Sequence, residues 1–152
     1  MHFAYGTNMS RKLMRLRCPT ADPLGIAKLN GWRFTITTDG YASIVPKPGA
    51  IVHGVLWRIS PRDRAVLDAY EDLDSGLYRR RILPIQYDAR IIPALVYIGR
   101  ERGSGHPMPG YLELVVDAAR DWGLPSRYVT ELSRWSRSGL LAAAAREIGE
   151  IP

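Results

Sequence analysis

The order of its strand-like and helix-like segments most constrains how this chain folds. Segments with the apolar pattern of strands come early, and most of the helical periodicity comes late. The strand-like segments are 2–5, 25–44, 51–59, 77–87 and 91–98. Strands and helices do not alternate regularly, so a doubly wound parallel sheet is not expected. The pattern favours an α+β fold, with helices around a mixed, curved β-sheet or a small β-barrel.

Local signals place turns and one helix start between these strands. Asp39-Gly40 predicts a turn, and the segment Pro46-Lys47-Pro48-Gly49 predicts a loop. Ser60 and Asp63 have the spacing of a capping box around Pro61, which suits the first position of a helix. A helix is therefore expected to begin at this proline.

Further helices are expected over 9–17, over 109–122 and from Pro125 onward, and the alanines at 142–145 suggest another. No repeat or linker divides the 152 residues. The sequence thus predicts one domain spanning residues 1–152.

Composition and charge limit the classes of partner. The net charge is +6, but the arginines are scattered and no zinc-finger or RNA-binding motif accompanies them. A solvated basic surface is favoured over a nucleic-acid footprint. No apolar stretch approaches the ~20 residues that cross a bilayer, and no signal-peptide core precedes residue 15, so a cytoplasmic protein without membrane partners is expected. With one cysteine, Cys18, and three separated histidines, no metal site is expected.

A tight turn follows the first strand-like segment. It comprises Tyr5, Gly6, Thr7, Asn8, Met9 and Ser10. A strand that ends in a turn of small polar residues exposes several backbone N–H groups on one side. Such a turn can hold a carboxylate or a developing oxyanion, and it is the candidate binding loop.

Glu71 is the strongest candidate for chemistry. It follows Leu67 by four residues, so it lies close to the helix face expected to pack inward. A carboxylate on an apolar face loses hydration, and its pKa rises toward neutrality, as an acid/base group requires. The alternative is that Glu71 ends its helix paired to an arginine such as Arg79. Spacing alone does not decide between the two.

Three segments, in this order, resemble motifs of the gamma-glutamylcyclotransferase family. Tyr5-Gly6-Thr7-Asn8 resembles the family's YGSN loop, with threonine where serine is usual. The run 67–73, LDAYEDL, followed by SGLYR, resembles the region of the catalytic glutamate, with Asp72 where glycine is common. The segment 107–112, PMPGYL, and the later 123–125, GLP, resemble a helix start and the break before the last helix.

The resemblance implies that family's fold and a cofactor-independent enzyme that releases 5-oxoproline from a gamma-glutamyl amino acid or amine. It implies Glu71 as general base and acid. It also implies substrate binding by Tyr5, Gly6, Thr7, Asn8, Met9, Ser10 and Tyr111. The two departures bear on substrate preference more than on activity.

Other functions stay open from the sequence. A non-catalytic small-molecule binding or sensor module of the same fold would keep the pocket without turnover. A basic nucleic-acid-binding protein is a third class. The sequence does not identify the leaving group, and it is compatible with a monomer or a homodimer.

Overall fold

Five strands close into a barrel in the computed structural model, which describes residues 1–100 and 103–136. The strands are β1 (His2–Ala4), β2 (Asp22–Ile36), β3 (Ala42–Arg58), β4 (Tyr78–Tyr87) and β5 (Arg90–Gly99). The helices are α1 (Arg11–Arg17), α2 (Pro61–Tyr70), α3 (Tyr111–Asp121) and α4 (Ser126–Ser133), and a 3₁₀ turn covers Thr7–Met9. The strands neighbour one another in the order β1, β3, β2, β4, β5. The expected α+β fold with a small barrel and surrounding helices is confirmed.

The short strand β1 lies at the centre of the fold. It pairs antiparallel with β3, where Phe3 faces Leu56, and parallel with β5, where His2 faces Leu95. All three of its residues are buried. The turn that follows β1 therefore begins from a strand held on both sides.

One loop expectation is wrong. Residues 46–49 lie inside β3, which runs unbroken to Arg58 beside β2. The pairing register shifts between Asn30 and Trp32, opposite this segment, and Gly31 and Gly49 both have positive φ values, 83° and 81°. An exposed bulge of this kind accepts prolines and glycines without ending the strand, because bulged positions need no regular ladder partner.

The predicted turn and helix starts mostly agree with the structure. The turn at Asp39-Gly40 joins β2 to β3. At α2, the Asp63 N–H donates to Ser60 Oγ at 3.1 Å and the Ser60 N–H donates to Asp63 Oδ2 at 2.9 Å, so the capping box is formed. The helix expected over 9–17 begins at Arg11 instead. The helix expected at 142–145 lies outside the described residues.

Helix α3 fixes the position of the turn after β1. Met9, at the end of the turn, is completely buried, and its carbonyl oxygen accepts a hydrogen bond of 2.7 Å from Trp122 Nε1. Val115 and Ala119 of α3 are also completely buried. The turn is thus held by a strand at one end and by a packed helix at the other. None of the helices in residues 1–100 and 103–136 has the length and apolar character needed to cross a membrane.

Candidate active site

A cavity of about 340 Å³ opens where β1 gives way to the turn. Its wall is built by the turn, by the carboxyl end of α2, by the β2–β3 hairpin, and by side chains of β4, β5 and α3. The lining residues are His2, Phe3, Ala4, Tyr5, Gly6, Thr7, Asn8, Tyr41, Ala42, Tyr70, Glu71, Asp72, Leu77, Tyr78, Tyr97 and Tyr111. The structure therefore brings six of the eight predicted site residues to one cavity: Tyr5, Gly6, Thr7, Asn8, Glu71 and Tyr111.

Glu71 is the residue that caps the carboxyl end of α2. Its N–H donates to the Leu67 carbonyl at 2.9 Å, which closes the last turn of the helix. Its Oε1 accepts a long hydrogen bond of 3.4 Å from Asn8 Nδ2. Burial raises the pKa of Glu71 from 4.5 to about 7, and the nearby Arg17 guanidinium opposes that rise. A carboxyl group with this pKa can both take up and release a proton near neutral pH.

The alternative pairing of Glu71 with Arg79 is not found in the part of the chain that the structure describes. The carboxylate of α2 that pairs with an arginine of β4 is Asp68, whose Oδ2 lies 2.7 Å from Arg80 Nη1. Tyr97 Oη donates to the other oxygen of Asp68, also at 2.7 Å. Asp68 is therefore fully engaged in structural contacts.

Four residues of the turn after β1, Tyr5 to Asn8, line the cavity. The first internal hydrogen bond of the turn runs from the Met9 N–H to the Gly6 carbonyl at 3.1 Å. The N–H groups of Gly6, Thr7 and Asn8 precede that bond, as in the first turn of any helix, and carry no bond within the turn. Tyr5 Oη donates to the Tyr97 carbonyl at 2.5 Å, which anchors the start of the turn to β5. This geometry suits the turn to accept an anionic or polar ligand atom.

Met9 and Ser10 do not line the cavity, unlike the other turn residues expected to bind substrate. Met9 is buried beneath the turn, against α3. Ser10 Oγ accepts the Leu13 N–H at 3.2 Å and caps α1. These two residues support the turn, because one faces the core and the other is committed to the helix start.

Tyr111 lies next to Gly6 in the cavity wall. A Cβ atom built on Gly6 would lie 3.3 Å from Tyr111 Oη. That hydroxyl accepts the Ala42 N–H at 3.0 Å, and Tyr78 Oη donates to the Ala42 carbonyl at 2.7 Å. Burial raises the pKa of both tyrosines, so they are neutral phenols. Accepting from Ala42 leaves the proton of Tyr111 free to donate to a ligand.

Sequence reasoning did not single out several side chains at the site, among them Tyr41, Tyr78 and Tyr97 in the cavity wall and Arg17 beside it. Tyr78 and Tyr97 face the cavity only because β4 and β5 pair so that Arg80 lies opposite Tyr97 and Tyr78 lies opposite Gly99. Arg17 was visible only as one of many scattered arginines. No local spacing signals these positions, because barrel closure and the return of α1 toward the turn bring them to the cavity.

Metal binding has no obvious set of ligands in the described part of the chain. Within residues 1–100 and 103–136, no three His, Cys, Asp or Glu side chains lie together in a way that would hold a metal ion. Cys18 is buried, and burial raises its pKa to about 11, so it is an unreactive thiol near neutral pH.

A small barrel whose cavity holds the partly buried carboxyl group of Glu71 among phenols defines a small-molecule site. Residues 2–122 match the protein family described as gamma-glutamyl cyclotransferase, AIG2-like, and the chain belongs to that family. The resemblance noted in the sequence is thereby confirmed.

Individual relatives carry the same name. The chain is 25% identical over 162 residues to the gamma-glutamylcyclotransferase of Homo sapiens, covering 99% of this chain and 86% of the relative. It is 26% identical over 166 residues to that of Bos taurus, with the same coverage of 99% and 86%. A solved structure titled gamma-glutamyl cyclotransferase superimposes with a TM-score of 0.81 at 26% identity, covering 87% of this chain and 85% of that one. These relatives support gamma-glutamylcyclotransferase as the general function.

Proposed function

We propose that this chain releases 5-oxoproline from a gamma-glutamyl amino acid or gamma-glutamyl amine, with Glu71 as general base and general acid. One observation carries the proposal: the cavity of a family member contains a carboxyl group whose pKa burial raises to about 7. A group that titrates near neutral pH transfers protons efficiently in both directions.

The reaction is an attack of the substrate on itself. Glu71 takes a proton from the alpha-ammonium group, and the freed amine attacks the gamma-carbonyl carbon. A new C–N bond forms, and the carbonyl oxygen becomes an oxyanion. The C–N bond to the leaving amine then breaks. Over the whole reaction two protons pass from the attacking nitrogen to the leaving nitrogen, so one carboxylate that is protonated and deprotonated in turn is sufficient.

The other cavity residues would bind and fold the substrate. In this proposal the N–H groups of Gly6, Thr7 and Asn8 hold the substrate carboxylate or the oxyanion, and Tyr5 forms one wall. The Tyr111 proton, left free by the bond from Ala42, donates to the same end of the substrate. Because the nucleophile is part of the substrate, orientation of the two reacting groups supplies much of the rate enhancement, and the proposal requires no cofactor.

The test is release of 5-oxoproline by the purified protein. A panel of gamma-glutamyl amino acids, gamma-glutamyl amines and glutathione is incubated with the wild type and with Glu71→Gln. We expect product from at least one class, and a loss of ~100-fold or more in Glu71→Gln, typical of the removal of a general base. Asp74→Asn is the matched control, because Asp74 is exposed in the segment after α2 and does not line the cavity.

The outcomes separate the competing functions. Wild-type turnover in Glu71→Gln would reject Glu71 as the acid/base group. Saturable binding of the panel compounds without any 5-oxoproline would indicate the non-catalytic binding module instead.

A further inference from the structure

Arg17, the last residue of α1, connects three parts of the cavity wall. Its Nη1 donates to Asn8 Oδ1 at 2.5 Å and to Thr7 Oγ1 at 3.2 Å. Its Nη2 donates to Tyr70 Oη at 2.6 Å, and its guanidinium carbon lies 3.8 Å from the centre of the Tyr70 ring. One side chain thus joins the turn after β1 to the end of α2, the two elements that flank Glu71.

The bond from Arg17 determines which way the Asn8 amide faces. A guanidinium group has only donors, so it must meet the oxygen of the amide. With Oδ1 held by Arg17, the Nδ2 group is the one directed at Glu71, 3.4 Å from Oε1. With the amide flipped, Asn8 Nδ2 would face the Arg17 guanidinium, donor against donor, and Asn8 Oδ1 would face the Glu71 carboxylate, acceptor against acceptor. Arg17 therefore makes Asn8 a hydrogen-bond donor to Glu71.

Arg17 also supplies the positive charge that acts on Glu71. The titratable groups that face Glu71 from the elements packed around it are Arg17 of α1, Tyr5 beside β1, Tyr78 of β4, Tyr97 of β5 and Tyr111 of α3, with Asp72 adjacent in the chain. Burial raises the pKa of each of these tyrosines, so they carry no charge near neutral pH. The charge of Arg17 therefore opposes the effect of burial on the carboxylate.

We propose that Arg17 is a positioning residue that orients Glu71 through Asn8 and favours its carboxylate form through its own charge. The inference rests on the proposed function, since it assigns a role within that site. A guanidinium group is required because its two terminal nitrogens bond Asn8, Thr7 and Tyr70 at the same time. The ammonium group of a lysine supplies the charge but has a single nitrogen and cannot make all of these bonds.

The test compares Arg17→Met, Arg17→Lys and a control, Arg15→Met, which removes the same charge from an exposed position of the same helix. For each variant, kcat and kcat/KM for the best gamma-glutamyl substrate are measured against pH. In Arg17→Met, the acidic limb of the plot of kcat/KM against pH should move to higher pH by about 0.5–1 unit, and kcat should fall ~10-fold. In Arg17→Lys the limb should stay near its wild-type position while kcat still falls. Arg15→Met should match the wild type.

A double-mutant cycle tests the route through Asn8. If Arg17 acts through Asn8, the loss of kcat in Arg17→Met should be much smaller when Asn8→Ser is already present. Additive losses would overturn that route. An unmoved acidic limb in Arg17→Met, with a change in KM alone, would overturn the positioning role and make Arg17 a substrate contact.

Titration of the Glu71 carboxyl carbon by NMR does not depend on turnover. The pKa of Glu71 should be higher in Arg17→Met than in the wild type, and equal values would overturn the inference. This measurement keeps the inference testable if the proposed function fails, because that function is judged by 5-oxoproline release in the wild type. If Arg17→Met does not fold, Arg17→Gln, which also removes the charge, provides the same comparison.

Discussion

The proposed acid/base residue should reduce the stability of the fold, and Glu71→Gln should reveal by how much. Burial raises the pKa of Glu71 from 4.5 to about 7, which means that the folded protein holds this proton more tightly than the unfolded chain does. The stability that the protonated form provides is fully present below pH 4.5 and is lost as the pH rises through 7. A pKa difference of this size corresponds to a loss of at most about 3 kcal/mol in the free energy of unfolding. A glutamine is neutral at every pH and accepts the same hydrogen bond from Asn8, so it escapes this loss.

The measurement is urea denaturation of the wild type and of Glu71→Gln at pH values from 4.5 to 8. The free energy of unfolding of Glu71→Gln, relative to the wild type, should rise by up to about 3 kcal/mol over this range. Other titrating groups, such as His2, are present in both proteins and cancel in the difference. Asp74→Asn is the control for loss of an exposed carboxylate. A difference independent of pH, or one that favours the wild type as pH rises, would refute the argument that Glu71 is destabilised as a carboxylate.

Three further changes have defined expectations. Gly6→Val should raise KM by ~10-fold or more with little loss of stability, because its Cβ would lie 3.3 Å from Tyr111 Oη; unchanged kcat and KM would contradict this. Burial lowers the pKa of His2 from 6.5 to about 4, so the stability that neutral His2 contributes is fully present above pH 6.5 and falls by about 3 kcal/mol as the pH drops to 4. The free energy of unfolding of the wild type relative to His2→Phe should show this dependence, because Glu71 titrates in both proteins and cancels; a difference independent of pH would contradict it. Asp72 has a φ of 53°, a conformation that glycine adopts without strain. Asp72→Gly should therefore raise the free energy of unfolding by up to about 1 kcal/mol. A lower free energy of unfolding would show that the aspartate side chain stabilises the fold by more than its backbone strain destabilises it.

Much of the fold was predictable from local patterns. The capping box at Ser60 and Asp63 fixed the start of α2, and the apolar runs indicated β4 and β5 with a turn between them. The segment 46–49 was misjudged because prolines and glycines usually end strands. Here they lie in an exposed bulge, and a bulge depends on pairing with the distant Gly31 region. Only tertiary contacts distinguish the two cases.

The candidate site was predictable only where its residues are close in sequence. The spacing of Leu67 and Glu71 placed the carboxylate on the inward side of α2, and the turn after β1 followed from its small residues. Arg17, Tyr78 and Tyr97 could not be inferred in this way. They reach Glu71 because the barrel closes and α1 folds back, and the sequence does not carry that information in any local pattern. The catalytic and binding roles themselves remain predictions.

The contrast between two carboxylates of one helix segment explains why Glu71 and not Asp68 suits the chemistry. They are three residues apart, close to one turn, yet Asp68 is matched by a guanidinium group at 2.7 Å and a phenol at 2.7 Å. Those partners occupy both oxygens of Asp68, so its side chain is committed to joining α2 to β4 and β5. Glu71 has one long hydrogen bond from the Asn8 amide, phenolic neighbours, and a nearby Arg17 guanidinium whose charge only partly opposes the effect of burial. Its charged and neutral forms are therefore close in free energy near neutral pH, and a proton carrier that must be loaded and unloaded in every turnover needs that balance.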